Sequence, residues 1–398
     1  MIAVEQQVKE FESLVELLED LDREGITGYQ RKQLVDRFFI LKSRLSGIPF
    51  GASFELTPLC NFDCKMCYVH LSQEQANKTG AILTVDEWLA IVKQAVDAGI
   101  MYADITGGEC LLYPGFKEIY LYLLSRGVRV SVLTNGALID SQWIEFFASN
   151  RPAVIQITLY GSSSDAYVAV TQRDAFNSVL AAINGLKKAN VNVKLAMTPS
   201  KYMEDDAYKL LELFHSLQIP YTIGTGIMPA RPETGRDFDE FAADINVCAR
   251  LLEQDRIHRQ QTMIPVGNDM KPYSFRVKGM EQIKGMPCAG GSASFHINWR
   301  GEVTPCIPLY TIARPAKNGK LLESWQWVRA RIAEYRMPAE CIECKHVSIC
   351  KACPAERTSC DIQGGVNPYV CAKCEYLVKH LYLPNGDKED NETQCSFS

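Results

Sequence analysis

Cys60-Asn-Phe-Asp-Cys64-Lys-Met-Cys67 constrains this chain more than any other stretch, because it places three thiols on one short loop. A cubane 4Fe–4S cluster normally takes four thiolates, so such a loop leaves one iron open to another ligand. A zinc site more often opens with two cysteines two residues apart and closes with a distant pair, and here only His70 stands near as a fourth ligand. Fifteen cysteines occur among 398 residues, three at 60–67 and nine between 288 and 374. A secreted disulfide framework is disfavoured by the odd count, the length and the N-terminus Met-Ile-Ala-Val-Glu-Gln-Gln, which lacks the basic start and apolar core of an export signal. Metal or cluster ligation in a cytoplasmic protein is the expectation. The net charge of −5 and pI near 5.8 offer no general attraction to nucleic acid or to an anionic membrane, and no apolar run is long enough to span a bilayer.

The hydrophobic pattern divides the chain into five segments. Residues 1–49 read as helical, with Val8, Phe11, Val15 and Leu18 as a packing stripe and a turn at Gly25-Ile-Thr-Gly28. Residues 50–258 alternate strands (52–57, 101–106, 128–134, 153–159, 191–197, 221–224) with helices (85–98, 116–125, 141–149, 176–188, 205–216), and a sixth helix is expected at 238–253. That repeat predicts an α/β fold, a partial (β/α)6 TIM-like barrel, whose post-strand loops converge on one mouth. The cysteine loop, Gly107-Gly108-Glu109, Asn135-Gly136 and Gly161-Ser-Ser-Ser164 all follow strands, so they become neighbours there. Residues 259–287 form a bridge, 288–383 a Cys-rich domain, and 384–398 a polar tail expected to be flexible.

The cysteine spacing and its place after the first strand resemble the radical S-adenosylmethionine (SAM) superfamily. The resemblance implies that SAM chelates the open iron through its methionine amino and carboxylate groups, and that one electron cleaves it to methionine and a 5′-deoxyadenosyl radical. Cys60, Cys64 and Cys67 are then the cluster ligands, and Met66 stands at a family position that is often aromatic. Gly107-Gly108-Glu109 resembles the glycine-glycine-glutamate element beside the SAM amino group. Asn135, Thr158 and Arg173 look like the polar contacts to ribose and carboxylate. A flavodoxin or ferredoxin would supply the electron.

Cys288, Gly301, Cys306, Cys341, Cys344, Cys350, Cys353 and Cys371 follow in an order whose paired Cys-x2-Cys units also suit zinc. As a set they resemble the SPASM extension, a C-terminal iron–sulfur domain with one or two auxiliary 4Fe–4S clusters. The resemblance assigns Cys341, Cys344, Cys350 and Cys371 to one cluster and Cys288, Cys306 and Cys353 to the other. Cys360 and Cys374 are additional to the pattern, and Cys110, Cys248 and Cys395 read as ordinary cysteines.

Relatives with this extension mostly modify peptides or proteins, so an oxidative peptide maturase is the leading expectation, with no nucleic acid or membrane partner. A small-metabolite dehydrogenase and a zinc-stabilised binding protein are the alternatives. Cys306-Ile-Pro-Leu-Tyr lacks the acidic residue of the sulfatase-maturase branch, and the helical leader shows no winged-helix recognition domain. Asp104, His296 and Glu302 are candidate bases, none of them selected by the sequence.

Overall fold

Six short strands carry apolar residues on one face and polar residues on the other, and this alternation builds the barrel. They are β1 (Gly51–Glu55), β2 (Tyr102–Thr106), β3 (Arg129–Thr134), β4 (Val154–Thr158), β5 (Val193–Met197) and β6 (Tyr221–Ile223), paired in sequence order and all parallel. The computed structural model describes residues 9, 12, 14–19, 28–224, 228, 230–236, 241–261, 288–346, 350, 353–357 and 365–379. Phe54, Ile105, Val132, Ile157 and Leu195 are fully buried beneath the crossover helices Val85–Asp97, Phe116–Ser125, Ser141–Ser149, Phe176–Lys188 and Ala207–Leu217. Thr84 and Glu87 form a reciprocal capping box at the start of the first of these helices. Trp88 then packs edge-on to Phe54 and donates its indole N–H to the Leu56 carbonyl, 3.3 Å away.

The sheet continues past β1 into the cysteine-rich region. Strand β7 (Ser294–Ile297) pairs parallel with β1, and β8 (Glu302–Thr304) and β9 (Arg314–Pro315) follow antiparallel. Gly301, at φ +79°, makes the turn between β7 and β8, and an added Cβ there would stand 3.1 Å from Leu83. The region expected as a separate domain from residue 288 thus begins inside the barrel's own sheet.

The N-terminal helices differ from expectation in their buried face. Leu14 and Leu17 pack with Leu34 and Leu41, whereas Val15 and Leu18 of the expected stripe are 39% and 47% exposed. The helix Gly28–Ser46 does more than cover the barrel, since Arg44 donates to the Cys288 carbonyl at 2.8 Å and to Ser292 Oγ at 3.2 Å. Trp325, on the helix Leu321–Ala333, closes the junction by donating to the Gly47 carbonyl at 2.9 Å. The sixth helix runs from Ile245 to Gln261, later than expected. The expected bridge from residue 262 onward, the tail 384–398, Val8, Phe11, Cys360 and Cys395 lie outside the described residues. Among the described residues no helix is long and apolar enough to cross a membrane.

Candidate functional site

The cysteine loop leaves the C-terminal end of β1 and rests on the loop after β2. Gly108 N–H donates to the Thr57 carbonyl at 2.7 Å and Glu109 N–H to the Leu59 carbonyl at 2.8 Å. A Cβ on Gly108 would fall 2.4 Å from the Leu59 oxygen, so only glycine allows the two backbones to meet. On its far side the loop is tied to the helix Ser164–Thr171, Asp63 N–H donating to Thr171 O at 3.2 Å and Lys65 N–H to Val170 O at 3.1 Å. From the segment after β6, Arg236 donates to the Cys67 carbonyl at 2.9 Å and pairs with Asp63 at 2.5 Å. Arg231 N–H donates to the Tyr68 carbonyl at 3.1 Å.

Cys60, Cys64 and Cys67 are free thiols within this frame. Burial pushes the Cys60 thiol up to about 12, with Glu109 and Cys67 adding negative charge nearby. Cys64 is pushed well up by burial and by Cys67 and Cys60, while Arg236 opposes the shift. Thiols raised this far are held neutral; as thiolate ligands they would need positive charge beside them, which a metal cluster would supply. Donors already face the sulfurs: Phe62 N–H stands 3.4 Å from Cys60 Sγ, His70 N–H 3.3 Å from Cys67 Sγ, and Asn135 Nδ2 3.6 Å from Cys60 Sγ. The donor set therefore fits a 4Fe–4S cluster held by three thiolates, N–H groups to ligand sulfurs being a feature of such sites. Among the described residues no three His, Cys, Asp or Glu side chains form a single-ion site.

The residues aligned with SAM contacts divide into two groups. Glu109 is fully buried and accepts from Leu111 N–H (3.0 Å), Thr134 Oγ1 (2.8 Å) and Asn135 N–H (2.8 Å). Burial pushes its carboxyl up against those donors, and its observed work is to fix Asn135. Asn135 in turn donates to Asn61 Oδ1 at 2.8 Å, and its own oxygen accepts from Ala137 N–H at 3.0 Å. Met66 is buried in the core. Thr158 ends β4, half-buried at the mouth, and Arg173 is exposed in the turn between the helices Ser164–Thr171 and Phe176–Lys188.

All three candidate bases have partners. His296 is buried between Glu55 at 3.0 Å and Ser53 Oγ at 3.2 Å, and burial pushes its imidazole pKa down. Glu302 pairs with Arg300 at 2.9 Å. Asp104 is accessible from the barrel's interior, where desolvation by the surrounding protein pushes its carboxyl up; Ser131, in register on β3, is its hydrogen-bond partner. Lys194 on β5 is half-buried with its ammonium pushed down by desolvation. Ser53, Asp104, Ser131, Gln156 and Lys194 alternate with core positions, so the barrel interior is polar where branched apolar side chains usually fill it.

Sequence reasoning missed Glu55 and Arg231. Arg231 clamps Glu55 with two hydrogen bonds, 2.8 and 2.7 Å, both side chains being nearly inaccessible. Together with His296 they tie β1, β7 and the segment after β6 across the open side of the barrel. The Tyr68 hydroxyl is pushed up by burial beside Arg231, Cys67, Glu55 and Cys306, linking the cysteine loop to the later thiols. A carboxylate at an inward position of β1 was the available signal for Glu55; Arg231 lies in an irregular segment without one.

Cys288 lies beside Cys353, and the space next to Gly290 is bounded by Cys288 Sγ and Cys306 Cβ, each 3.6 Å from an added Cβ. Cys371 is raised to about 11 by burial and by Cys341, Cys344 and Cys350 around it. A buried Lys373–Glu356 pair at 2.6 Å holds the helix Pro368–Leu377 beside the segment that follows Cys353. Cys110 is a buried thiol donating to the Leu133 carbonyl at 3.3 Å, and Cys248 is packed in the core.

Comparison with known proteins agrees with this geometry. Residues 54–214 match the family model of the radical SAM superfamily. Sporulation killing factor maturation protein SkfB of Bacillus subtilis (strain 168) is 25% identical over 205 residues, 51% of this chain and 49% of that protein. Antilisterial bacteriocin subtilosin biosynthesis protein AlbA of the same strain is 25% identical over 268 residues, 65% of this chain and 55% of that protein. The chain thus spans about half the length of these two relatives. The AdoMet-dependent heme synthase of Methanosarcina barkeri (strain Fusaro / DSM 804) is 24% identical over 335 residues, 78% of this chain and 93% of that protein. In fold, Streptococcus suis SuiB bound to S-adenosylmethionine superimposes with a TM-score of 0.64 at 15% identity, covering 91% of this chain and 87% of that one. With its cysteine loop at the mouth of a parallel partial barrel, the chain is similar over residues 54–214 to the radical SAM superfamily.

Proposed function

We propose that the chain is a radical SAM enzyme that oxidatively modifies a peptide or protein, with a SPASM-type region at 288–383. The observation that carries the reading is the set of three free thiols, faced by N–H donors, at the mouth of a barrel with a polar interior. Cys60, Cys64 and Cys67 would hold the SAM-binding 4Fe–4S cluster. The chemistry expected with cluster and SAM bound is one-electron cleavage of a carbon–sulfur bond, giving methionine and a 5′-deoxyadenosyl radical. Asn135 orients Cys60, Arg236 offsets the charge of the loop, and Gly107 and Gly108 let the loop sit on the barrel rim. Met66, Gly107, Gly108, Glu109, Asn135, Thr158 and Arg173 are the residues proposed to line the SAM site. Cys341, Cys344, Cys350 and Cys371 would serve one auxiliary cluster and Cys288, Cys306 and Cys353 the other, accepting the second electron of the oxidation. Flavodoxin or ferredoxin is the proposed electron donor.

A second reading is favoured by the heme synthase relative, which this chain covers nearly throughout: a small-metabolite substrate in the same polar interior. The two separate in one experiment. Reconstituted protein is given SAM, a strong reductant and a short peptide encoded next to its gene, and the peptide is weighed by mass spectrometry. Loss of one hydrogen pair per modification, matched by 5′-deoxyadenosine, is expected. An unchanged peptide with 5′-deoxyadenosine formed only on adding metabolite extract contradicts the peptide reading.

A further inference from the structure

A chain of hydrogen bonds on the inner face of the sheet ends in the barrel interior. His296, Ser53, Asp104 and Ser131 stand in register across β7, β1, β2 and β3. Their neighbours Phe54 and Phe295 pack outward against Trp88 and Trp325, so the row itself faces inward. His296 Nε2 lies 3.0 Å from Glu55 Oε2, and its Nδ1 lies 3.2 Å from Ser53 Oγ. Arg231 grips both Glu55 oxygens at 2.8 and 2.7 Å, so Glu55 is an ionised carboxylate that can only accept. Burial keeps the imidazole neutral, and its proton is therefore on Nε2. Nδ1 is then an acceptor, and the Ser53 hydroxyl donates to it. That direction turns the lone pairs of Ser53 Oγ toward the interior, where Ser53 is half-buried while the His296 and Glu55 side chains are each only 2% exposed.

We propose that Ser53, backed by His296 and Glu55, takes the proton that the substrate loses during its oxidation. The inference rests on the reading of this chain as a radical SAM enzyme that oxidises a substrate in the barrel interior. Of the two hydrogens removed, one leaves as an atom to the 5′-deoxyadenosyl radical. The electron of the other goes to an oxidised iron–sulfur cluster, and its proton goes to Ser53 Oγ as the Ser53 proton passes to His296 Nδ1. The imidazolium so formed lies against the Glu55 carboxylate, which stabilises it as the acid of a Ser-His-acid triad does. Ser53 is the residue that touches substrate, and His296 and Glu55 position and drain it. The other titratable or charged groups around the imidazole are Arg231, Asp104 beside Ser53 on β2, and the Tyr68 hydroxyl near Glu55 and Arg231.

The test gives reconstituted holoenzyme SAM, a strong reductant and the short peptide encoded next to its gene, and records modified peptide per 5′-deoxyadenosine across a pH series. Wild type is compared with S53A, H296Q and D104N. The wild-type ratio should fall as pH drops below the ordinary histidine value of 6.5, because a protonated His296 cannot accept. S53A and H296Q should lower the ratio at least about tenfold, and H296Q should also lose the pH dependence. A wild-type ratio in either variant overturns the proposal, as does a loss confined to D104N. Nitrogen NMR of histidine-labelled holoenzyme supplies a readout apart from turnover. His296 should carry its proton on Nε2 at neutral pH, and its Nδ1 signal should move in S53A. A proton on Nδ1 overturns the relay whatever the peptide does. If wild type forms 5′-deoxyadenosine but leaves the peptide unchanged, the peptide reading fails and the NMR result alone decides the relay.

Discussion

Cys60, Cys64 and Cys67 occupy one loop, and neighbouring backbone holds it from three sides, whereas the later thiols come from five separate stretches of chain. The first group is positioned by hydrogen bonds from the rims of β1 and β2, the helix Ser164–Thr171 and the segment after β6. The second depends on elements brought together from far apart: β7 paired on β1, Arg44 on the Cys288 carbonyl, and Lys373 on Glu356. A local motif on a finished barrel should survive damage at a distance. An assembled one should fail when any single tie is broken.

The largest effects should come from the two buried ion pairs. Glu55→Gln leaves the Arg231 charge buried without its partner and should cost about 3–5 kcal/mol, seen as a fall in unfolding midpoint, while Glu55→Met with Arg231→Met should cost less than the single change. A single variant within about 1 kcal/mol of wild type would mean that the pair does not hold the barrel's open side. Lys373→Met should cost a similar amount, but its loss should fall on the C-terminal iron with the iron at 60–67 retained; parallel loss of both would erase the distinction between the regions.

Gly108→Ala should cost about 1–3 kcal/mol by forcing a Cβ against the Leu59 carbonyl. Here the iron at 60–67 should be lost first, and C-terminal iron lost first would reverse the comparison. The smallest effect is in pH dependence. His296 has its pKa pushed below the ordinary value of 6.5, so the unfolded chain binds more protons as pH falls below that value. Stability should therefore be complete above it and decline on acidification, by at most about 1.4 kcal/mol per pH unit. Glu55, held near 2 against an ordinary 4.5, adds a second decline as pH falls between those values. His296→Gln should flatten the first decline in denaturant titrations and leave the second; an unchanged slope contradicts the assignment.

The barrel was legible because each strand sets apolar residues toward the helices at every second position, as in Ala103 and Ile105 around Asp104. The first cysteine loop was legible for the same reason that it is robust, being contiguous. What the glycines contact within the chain was not legible: Gly107 and Gly108 read as part of the element beside the SAM amino group, and an added Cβ on either would also meet the Thr57 or Leu59 carbonyl. For Glu109, what the sequence left unread is that its carboxylate accepts from Leu111, Thr134 and Asn135. The N-terminal stripe was displaced because Leu14-Val15-Glu16-Leu17-Leu18 offers two apolar faces and only packing against Leu34 and Leu41 selects between them. Strand β7 escaped notice because Ser-Phe-His-Ile is short, and its partner β1 lies far away in sequence.

The most direct test of the central claim is SAM cleavage by anaerobically reconstituted protein under a strong reductant, wild type beside C60A/C64A/C67A, with 5′-deoxyadenosine and iron both measured. Wild type should release 5′-deoxyadenosine, and the variant should release none while keeping its C-terminal iron. No release from iron-loaded wild type, or equal release from both, would contradict the account.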